Sequence, residues 1–317
     1  MNNPEINKGK SSESNNFQII VADKYILNKP LGTGSFGTTY FGIDKTLPIG
    51  HPDKIVAIKL EDKSNAIQLI KVEGKLYKYL YKEGVGIPKL YWFGEQDEFN
   101  VLIIEVLGRD LEYLLNICNR KFSLKTTCII AQEMIRIIQY LHSKGIIHRD
   151  IKPENFLIGL HNNKIHVIDF GLCKTYKDVT GNHIPFAQNK KLIGTIRYIS
   201  CNCHNGVELS RRDDLESIGY LLIYFVKGTL PWQGMGSKQG YTKEEKYQMI
   251  ADCKQHITTE KLCEGLPKEF KIYMDHVRNL KFDEKPNYKM LYKLFNNLFS
   301  QSGYEYDNIY DWTRHTK

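Results

Sequence analysis

The chain lacks the features that mark several protein classes. Across 317 residues no apolar run approaches the roughly 20 that a membrane-spanning helix needs. The longest, Ile218 to Val226, has the length of a core helix segment. The N-terminus has no apolar segment of the kind a signal peptide carries: Met1 to Asn16 is polar and rich in Asn, Ser and Lys, which predicts a disordered leader over residues 1–17. Seven scattered cysteines are too few for a disulfide framework in a chain of this size. With no export signal, a reducing cytoplasmic or nuclear compartment is the simplest expectation. Cys201-x-Cys203-His204 has no second ligand pair at zinc spacing, so it reads as structural rather than metal-binding. There is no internal repeat, zinc finger, basic helix or aromatic-stacking RNA motif. A nucleic-acid partner would therefore rest on charge alone, and none is expected.

That charge is +8, from 44 Lys and Arg against 36 Asp and Glu. An excess of this size suits phosphate or acidic-peptide ligands as well as nucleic acids. Ordinary apolar content allows one large domain or two lobes sharing an interface. From about Val21 to Ile104 the pattern is strand-like, with β-branched runs at Ile55–Ile58 and Val101–Ile104 and one helix candidate from Ile67 to Tyr81. From Leu111 onward it turns helical. Ser123 is placed to cap a helix reaching His142, and Ser210 with Asp213 to start another. Further helices are expected near residues 243–252, 268–279 and 288–298. A joint near Glu105–Arg109 leaves a cleft between two parts, the natural place for a small ligand.

Gly32, Gly34 and Gly37 form G-x-G-x-x-G, where missing side chains let backbone N–H groups approach phosphate oxygens. Taken alone the motif fits a plain hairpin turn equally well. Here a strand-like run, Thr38 to Ile43, follows instead of a helix, which argues for a flap over phosphates and against a dinucleotide-binding turn. Lys59 ends the apolar run Val56-Ala57-Ile58. A buried ammonium needs a partner, and Glu73 on the following helix supplies one, unless Lys59 simply snorkels from an edge. Together they suit the α- and β-phosphates of ATP. In His148-Arg149-Asp150-Ile151-Lys152-Pro153-Glu154-Asn155, Asp150 can accept a hydroxyl proton, Lys152 can neutralise a transferring phosphoryl group and Asn155 can ligate Mg²⁺. Asp169-Phe170-Gly171 adds a second Mg²⁺ ligand, Asp169. Phosphoryl transfer needs positioning and charge neutralisation more than covalent chemistry, and the parts it needs occur here in one order. That order is the pattern of the eukaryotic protein kinases.

The chain resembles the casein kinase 1 family of serine/threonine protein kinases from about Phe17 to Trp312. The resemblance is carried by Val56-Ala57-Ile58-Lys59-Leu60-Glu61, Gly84-Val85-Gly86-Ile87-Pro88, Arg120-Lys121-Phe122-Ser123-Leu124-Lys125-Thr126 and His183-Ile184-Pro185. Most specific are Ser210-Arg211-Arg212-Asp213-Asp214-Leu215-Glu216-Ser217 and Leu230-Pro231-Trp232-Gln233-Gly234. Ser200-Cys201-Asn202 stands where other kinases carry Ala-Pro-Glu and is similar to this family's Ser-Ile-Asn.

The resemblance implies an α+β, bilobal protein-kinase fold: N-lobe 18–104, hinge 105–109, mainly helical C-lobe 110–312 and a short end, 313–317. It implies ATP and Mg²⁺, and protein substrates with acidic or phosphorylated residues near the target Ser or Thr. It maps a substrate-phosphate site to Arg197, Gly234 and Lys246. Lys190, Lys191, Arg211 and Arg212 either add positive potential to it or form a solvated basic face, and Arg211 and Arg212 equally suit capping the helix start or pairing with Asp213 and Glu216. It assigns adenine to the backbone of Glu105-Val106-Leu107, with Ile104 behind the pocket and Leu31, Ala57, Leu157 and Ile168 around the ring. Asp214 would brace the catalytic loop, and Thr195 would position Asp150 and Lys152. Departures from the family include Thr39 for an aliphatic residue, Glu154 for Asp and Phe186-Ala187-Gln188 for a more polar stretch. A monomer is the default expectation. Two further readings compete. A catalytically silent scaffold is opposed by the intact Lys59, Glu73, Asp150, Asn155 and Asp169. A small-molecule kinase is opposed by the 210–217 stretch and the Arg197 region.

Overall fold

The computed structural model describes residues 18–34, 37–237 and 240–314. The leader expected over 1–17, Ser35 and Phe36 of the glycine loop, and residues 315–317 lie outside the described residues.

Strands β1 (Ile20–Val21), β2 (Tyr25–Gly34), β3 (Gly37–Asp44), β4 (Ile55–Asp62), β5 (Leu90–Gln96) and β6 (Phe99–Glu105) form one antiparallel sheet in the order β1-β2-β3-β4-β6-β5. Period-2 alternation decides its two faces. Val56, Ile58, Val101 and Ile103 join Val21 and Tyr25 in a small outer core. Ala57 and Lys59, one residue out of phase, pair with Ile104 and Leu102. Leu102 packs with Ile70, Tyr77 and Leu80 of α1 (Ile70–Leu80). Lys59 is thus delivered to the inner face by strand register alone.

Helix α1 begins three residues after the expected Ile67 because its donors are satisfied from β4. The buried Glu61 carboxylate accepts from the N–H of Leu69 (2.8 Å) and of Ile70 (3.3 Å), and from the Asn100 amide (3.1 Å). A cap of this kind satisfies orphan N–H groups of the first turn.

The C-terminal lobe opens with β7 (Leu107–Asp110), which pairs with β9 (Phe156–Gly159), itself paired with β10 (Ile165–Val167). Only Val106 therefore separates the last strand of one lobe from the first strand of the other. Helices α2 (Leu111–Ile117) and α3 (Leu124–Ser143) follow; Ser123 caps α3 through the N–H of Thr126 at 3.2 Å. The short β8 (Ile146–Ile147) pairs with β11 (Lys174–Thr175). Then come α4 (Cys201–His204), α5 (Arg211–Lys227), α6 (Lys243–His256), α7 (Thr259–Leu262), α8 (Lys268–Asn279) and α9 (Tyr288–Gln301). Helix α5 is buried nearly all round, as a central helix must be, with α3 and α8 packed on it.

Of the two roles open to Arg211 and Arg212, positive potential toward a substrate or support of the helix start, the contacts are those of support, with Arg212 Nε 3.9 Å from Asp213 Oδ2. Arg211 is buried, with its guanidinium 4.7 Å from the Tyr176 ring and donating to the Asp283 carbonyl at 2.5 Å. Arg212 donates to the Leu280 carbonyl at 3.0 Å. Both tie α5 to the segment after α8.

Replacing Glu61 by Ala leaves buried donors unpaired, which costs about 1–3 kcal/mol. Urea unfolding of Glu61→Ala is expected to show that loss; an unchanged midpoint would contradict the cap.

Candidate active site

The cleft between the lobes collects the residues singled out by motif. Lys59 Nζ donates to Glu73 Oε2 at 2.7 Å, and Asp169 Oδ1 lies 3.8 Å from the same nitrogen. Burial pushes Glu73 up and Lys59 down. For Lys59 the attraction of Glu73 and Asp169 outweighs burial, and its ammonium sits above the ordinary range. The pair is closed, so α1 is docked with its carboxyl group inward.

The catalytic loop is built around Asp150. Its Oδ1 accepts from Thr195 twice, from the N–H at 3.0 Å and the hydroxyl at 2.8 Å. Its Oδ2 accepts from Lys152 Nζ at 2.7 Å. Asn155 donates its side-chain amide to the Asp150 carbonyl at 2.9 Å, so its side-chain oxygen is the end left to bind a cation. The N–H of Ile168 bonds the Asn155 carbonyl at 3.0 Å, which sets Asn155 beside the segment carrying Asp169. Thr195 reaches Asp150 because Gly194 (φ +90°) passes so close that a Cβ would meet the Arg149 carbonyl at 2.6 Å.

The loop is strained, and Asp214 holds the strain. Arg149 has φ 69° and Asp169 φ 66°, both in the left-handed region. The buried Asp214 carboxylate accepts from the N–H of His148 (2.8 Å) and of Arg149 (2.9 Å), and bonds His142 Nε2 at 2.9 Å. His142 Nδ1 in turn bonds the Tyr288 hydroxyl at 2.7 Å. Burial pushes Asp214 up, but its bonds to His142 and the backbone outweigh it and hold it below the ordinary carboxylate range. Burial keeps His142 below its ordinary range, so the ring is neutral and donates to Asp214. The Arg149 side chain completes the frame, donating to the Leu172 carbonyl at 2.7 Å.

Asp169 and Asn155 offer hard oxygen donors, the chemistry Mg²⁺ prefers. Among the described residues no group of three or more His, Cys, Asp or Glu side chains is placed to hold a metal unaided. Two donors still suit a cation that keeps waters and takes phosphate oxygens. Around the expected ring position Ala57 is buried, Ile104, Leu157 and Ile168 are half-buried, and Leu31 is 49% exposed, as the rim of an open cleft would be. The N–H of Glu105 is committed to the Lys89 carbonyl at 2.8 Å. Above the cleft, Gly32 opens onto free space, while a Cβ at Gly37 would strike the Leu60 carbonyl. Gly34 ends β2, opposite Gly37.

On the substrate side, Arg197 is half-buried, its guanidinium 5.6 Å from the Tyr198 ring and 5.9 Å from that of Tyr224. Trp232 Nε1 donates to the Arg197 carbonyl at 2.8 Å, which brings the loop of Gly234 beside it. Gly234 has φ +82° and open space around it; Lys246 packs along nearby Gly236. Gly234 thus lies in the chain between Trp232, which holds Arg197, and Gly236, against which Lys246 packs. Lys190 is drawn off to the buried Glu208 carboxylate (3.0 Å), which also binds Lys174 (2.7 Å) and so pins the segment after Asp169. Cys201-x-Cys203-His204 is structural. Cys203 Sγ donates to the Ile193 carbonyl at 3.3 Å, and burial pushes the Cys201 thiol up to about 12 and His204 down to about 4.

The motifs give three residues of the site no role, Glu61 among them although it ends the Val56–Glu61 run. Glu61 falls on the same strand face as Lys59, a signal readable from period 2. His142 and Lys254 are polar residues on the buried stripes of α3 and α6. Their pattern marks them as buried but does not name their partners.

Asp214→Asn is expected to lower the unfolding free energy by about 3 kcal/mol, since bonds to a charged acceptor weaken together. Wild-type stability should fall on acidification. It falls first below His142's ordinary pKa of 6.5, where only the unfolded chain takes the proton. It falls again below 3.8, where Asp214 is protonated in the unfolded state first. Other aspartates held low, such as Asp44 and Asp53, share that second loss, so the variant should lack only Asp214's part of it and lose less than wild type there. Urea unfolding across pH measures both, and a variant matching wild type throughout would contradict this frame.

An ion-paired lysine, a clamped aspartate and two oxygen donors on adjoining segments form a site for moving a phosphoryl group. Residues 25–294, from the start of β2 into α9, match the protein kinase domain family, far more than half of the chain. The sequence order, the bilobal fold and this match agree: the chain belongs to the protein kinase family.

Proposed function

We propose that the chain is an active serine/threonine kinase of the casein kinase 1 type. It would transfer the γ-phosphate of ATP to Ser or Thr in proteins with acidic or already phosphorylated residues nearby. The observation that carries activity is the assembled state of the site. The Lys59–Glu73 pair is closed at 2.7 Å while both Asp150 oxygens are already held by Thr195 and Lys152. Positioning of this kind supplies most of the rate in phosphoryl transfer.

Each residue then has a role. Lys59, oriented by Glu73, binds the α- and β-phosphates, and the backbone of Gly32, Gly34 and Gly37 covers them. Asp150 accepts the proton of the substrate hydroxyl and aligns its oxygen for attack. Lys152 neutralises charge on the phosphoryl group. Mg²⁺ bound at Asp169 and Asn155 would neutralise phosphate charge. Leu31, Ala57, Ile104, Leu157 and Ile168 hold adenine apolarly, with the backbone of Glu105 and Leu107 on its edge. Residues 105–109 serve as the hinge. Serine/threonine choice rests on the casein kinase 1 resemblance.

For substrate preference, Arg197 and Lys246 supply two cations, and Gly234, with no side chain in the way, supplies an open N–H. Together they suit a phosphate dianion. All seven cysteines are free, which supports residence in the reducing cytoplasm or nucleus, and we take the protein as a monomer there.

Two matched peptides test the specificity. One carries phosphoserine three residues before the target serine, the other plain serine. The primed peptide is expected to be used at least 10-fold better, and Arg197→Ala to remove most of that preference, as loss of a charge-assisted contact would. Equal use of both by the wild type would leave a kinase without this pocket.

A further inference from the structure

Helix α6 shows mostly polar, solvent-facing residues; only Ile250, Ala251 and Lys254 are buried. Lys254 is fully buried. Its Nζ donates to the Ile196 carbonyl at 2.9 Å and to the Ile199 carbonyl at 2.7 Å. The ammonium lies 5.2 Å from the Tyr220 ring and 5.1 Å from the Trp232 ring. The same Trp232 holds the carbonyl of Arg197, between those two residues, at 2.8 Å. One cluster therefore fixes the carbonyls of Ile196, Arg197 and Ile199. Thr195, which makes two bonds to Asp150, immediately precedes them.

A buried ammonium is a costly way to fill space, since an apolar side chain of the same length would pack there without desolvating a charge. What it adds is direction: charge-assisted bonds that orient particular carbonyls. We propose that Lys254 is a positioning residue for the protein-substrate side of the site, fixing the Ile196–Ile199 backbone and through it Thr195 on Asp150 and Arg197 toward the substrate. This rests on the kinase reading above. Lys254 touches no residue assigned to ATP, so its influence should separate the two substrates.

The groups facing Lys254 are Glu216 and Tyr220 of α5, Cys201, Cys203 and His204 of α4, and Arg278 of α8, which donates to the Lys254 carbonyl at 3.2 Å. Burial, opposed by Glu216, brings Lys254 down to about 7. Above that pH the clasp is a neutral amine with weaker bonds. The KM for an acidic peptide should therefore rise through neutrality.

The test is steady-state kinetics of wild type and Lys254→Met with ATP and an acidic peptide varied in turn. The variant is expected to raise the peptide KM about 10-fold or more while leaving the ATP KM within about 2-fold, since small misplacements of a substrate-binding segment are costly. The wild-type rise in peptide KM through pH 7 should be absent from the variant. If Lys254→Met does not fold, Lys254→Gln keeps N–H donors without charge and should show a smaller rise on the peptide side alone. ATP and peptide constants worsening together would make Lys254 a fold residue only and overturn the proposal, as would unchanged peptide kinetics. Wild type that phosphorylates no peptide or protein overturns the kinase reading and this inference together; wild-type turnover with either of the other failures overturns the inference alone.

Discussion

The contact between Asp214 and the catalytic loop is the constraint on which the rest of the site depends. A loop that runs through left-handed φ at Arg149 does not hold that shape by itself. It holds because a buried carboxylate, anchored in the central helix α5, takes two consecutive backbone N–H groups and is steadied by the neutral ring of His142 on α3. The two most buried helices of the C-terminal lobe thus meet at one carboxylate. From there order passes outward, to Asp150 and Asn155 along the loop and to the turn after Asp169 through Arg149. The N-terminal lobe contributes an independent fixed point, the Lys59–Glu73 pair, which Glu61 supports by capping the helix that carries Glu73.

Much of this was legible in the sequence where the signal is local. Strand register placed Lys59 on the inner face, and cap residues placed the start of α3. Motif order brought Gly32, Lys59, Asp150, Asn155 and Asp169 to one cleft. The start of α1 was misread by three residues because its cap lies on a different element, Glu61 of β4. Lys254 was overlooked because its partners, Ile196 and Ile199, lie more than fifty residues earlier, and a lysine inside a polar helix looks like any solvated one. His142 was read only as the end of a helix, although its bond to Asp214 spans 72 residues. A buried polar group declares its position through periodicity, but its partners are fixed by tertiary packing.

The placement of the positive charge is not legible in its total. An excess of +8 suits phosphate or acidic-peptide ligands as well as nucleic acids and does not say where the charge lies. Folding turns much of it inward. Arg211 and Arg212 brace α5, Lys254 clasps backbone, and Lys174 and Lys190 close on Glu208. Lys191 and Lys246 are not drawn into ion pairs of this kind among the described residues, and Arg197 lies against the Tyr198 and Tyr224 rings.

The central claim is that this assembled site turns over. The most direct test is transfer of labelled γ-phosphate from ATP with Mg²⁺ to casein, with the modified residues identified, for wild type and Asp150→Asn. The account predicts phosphoserine and phosphothreonine from wild type, and a rate at least about 100-fold lower from the variant with ATP binding retained. Wild type that binds ATP yet labels nothing, or a variant as active as wild type, would contradict it.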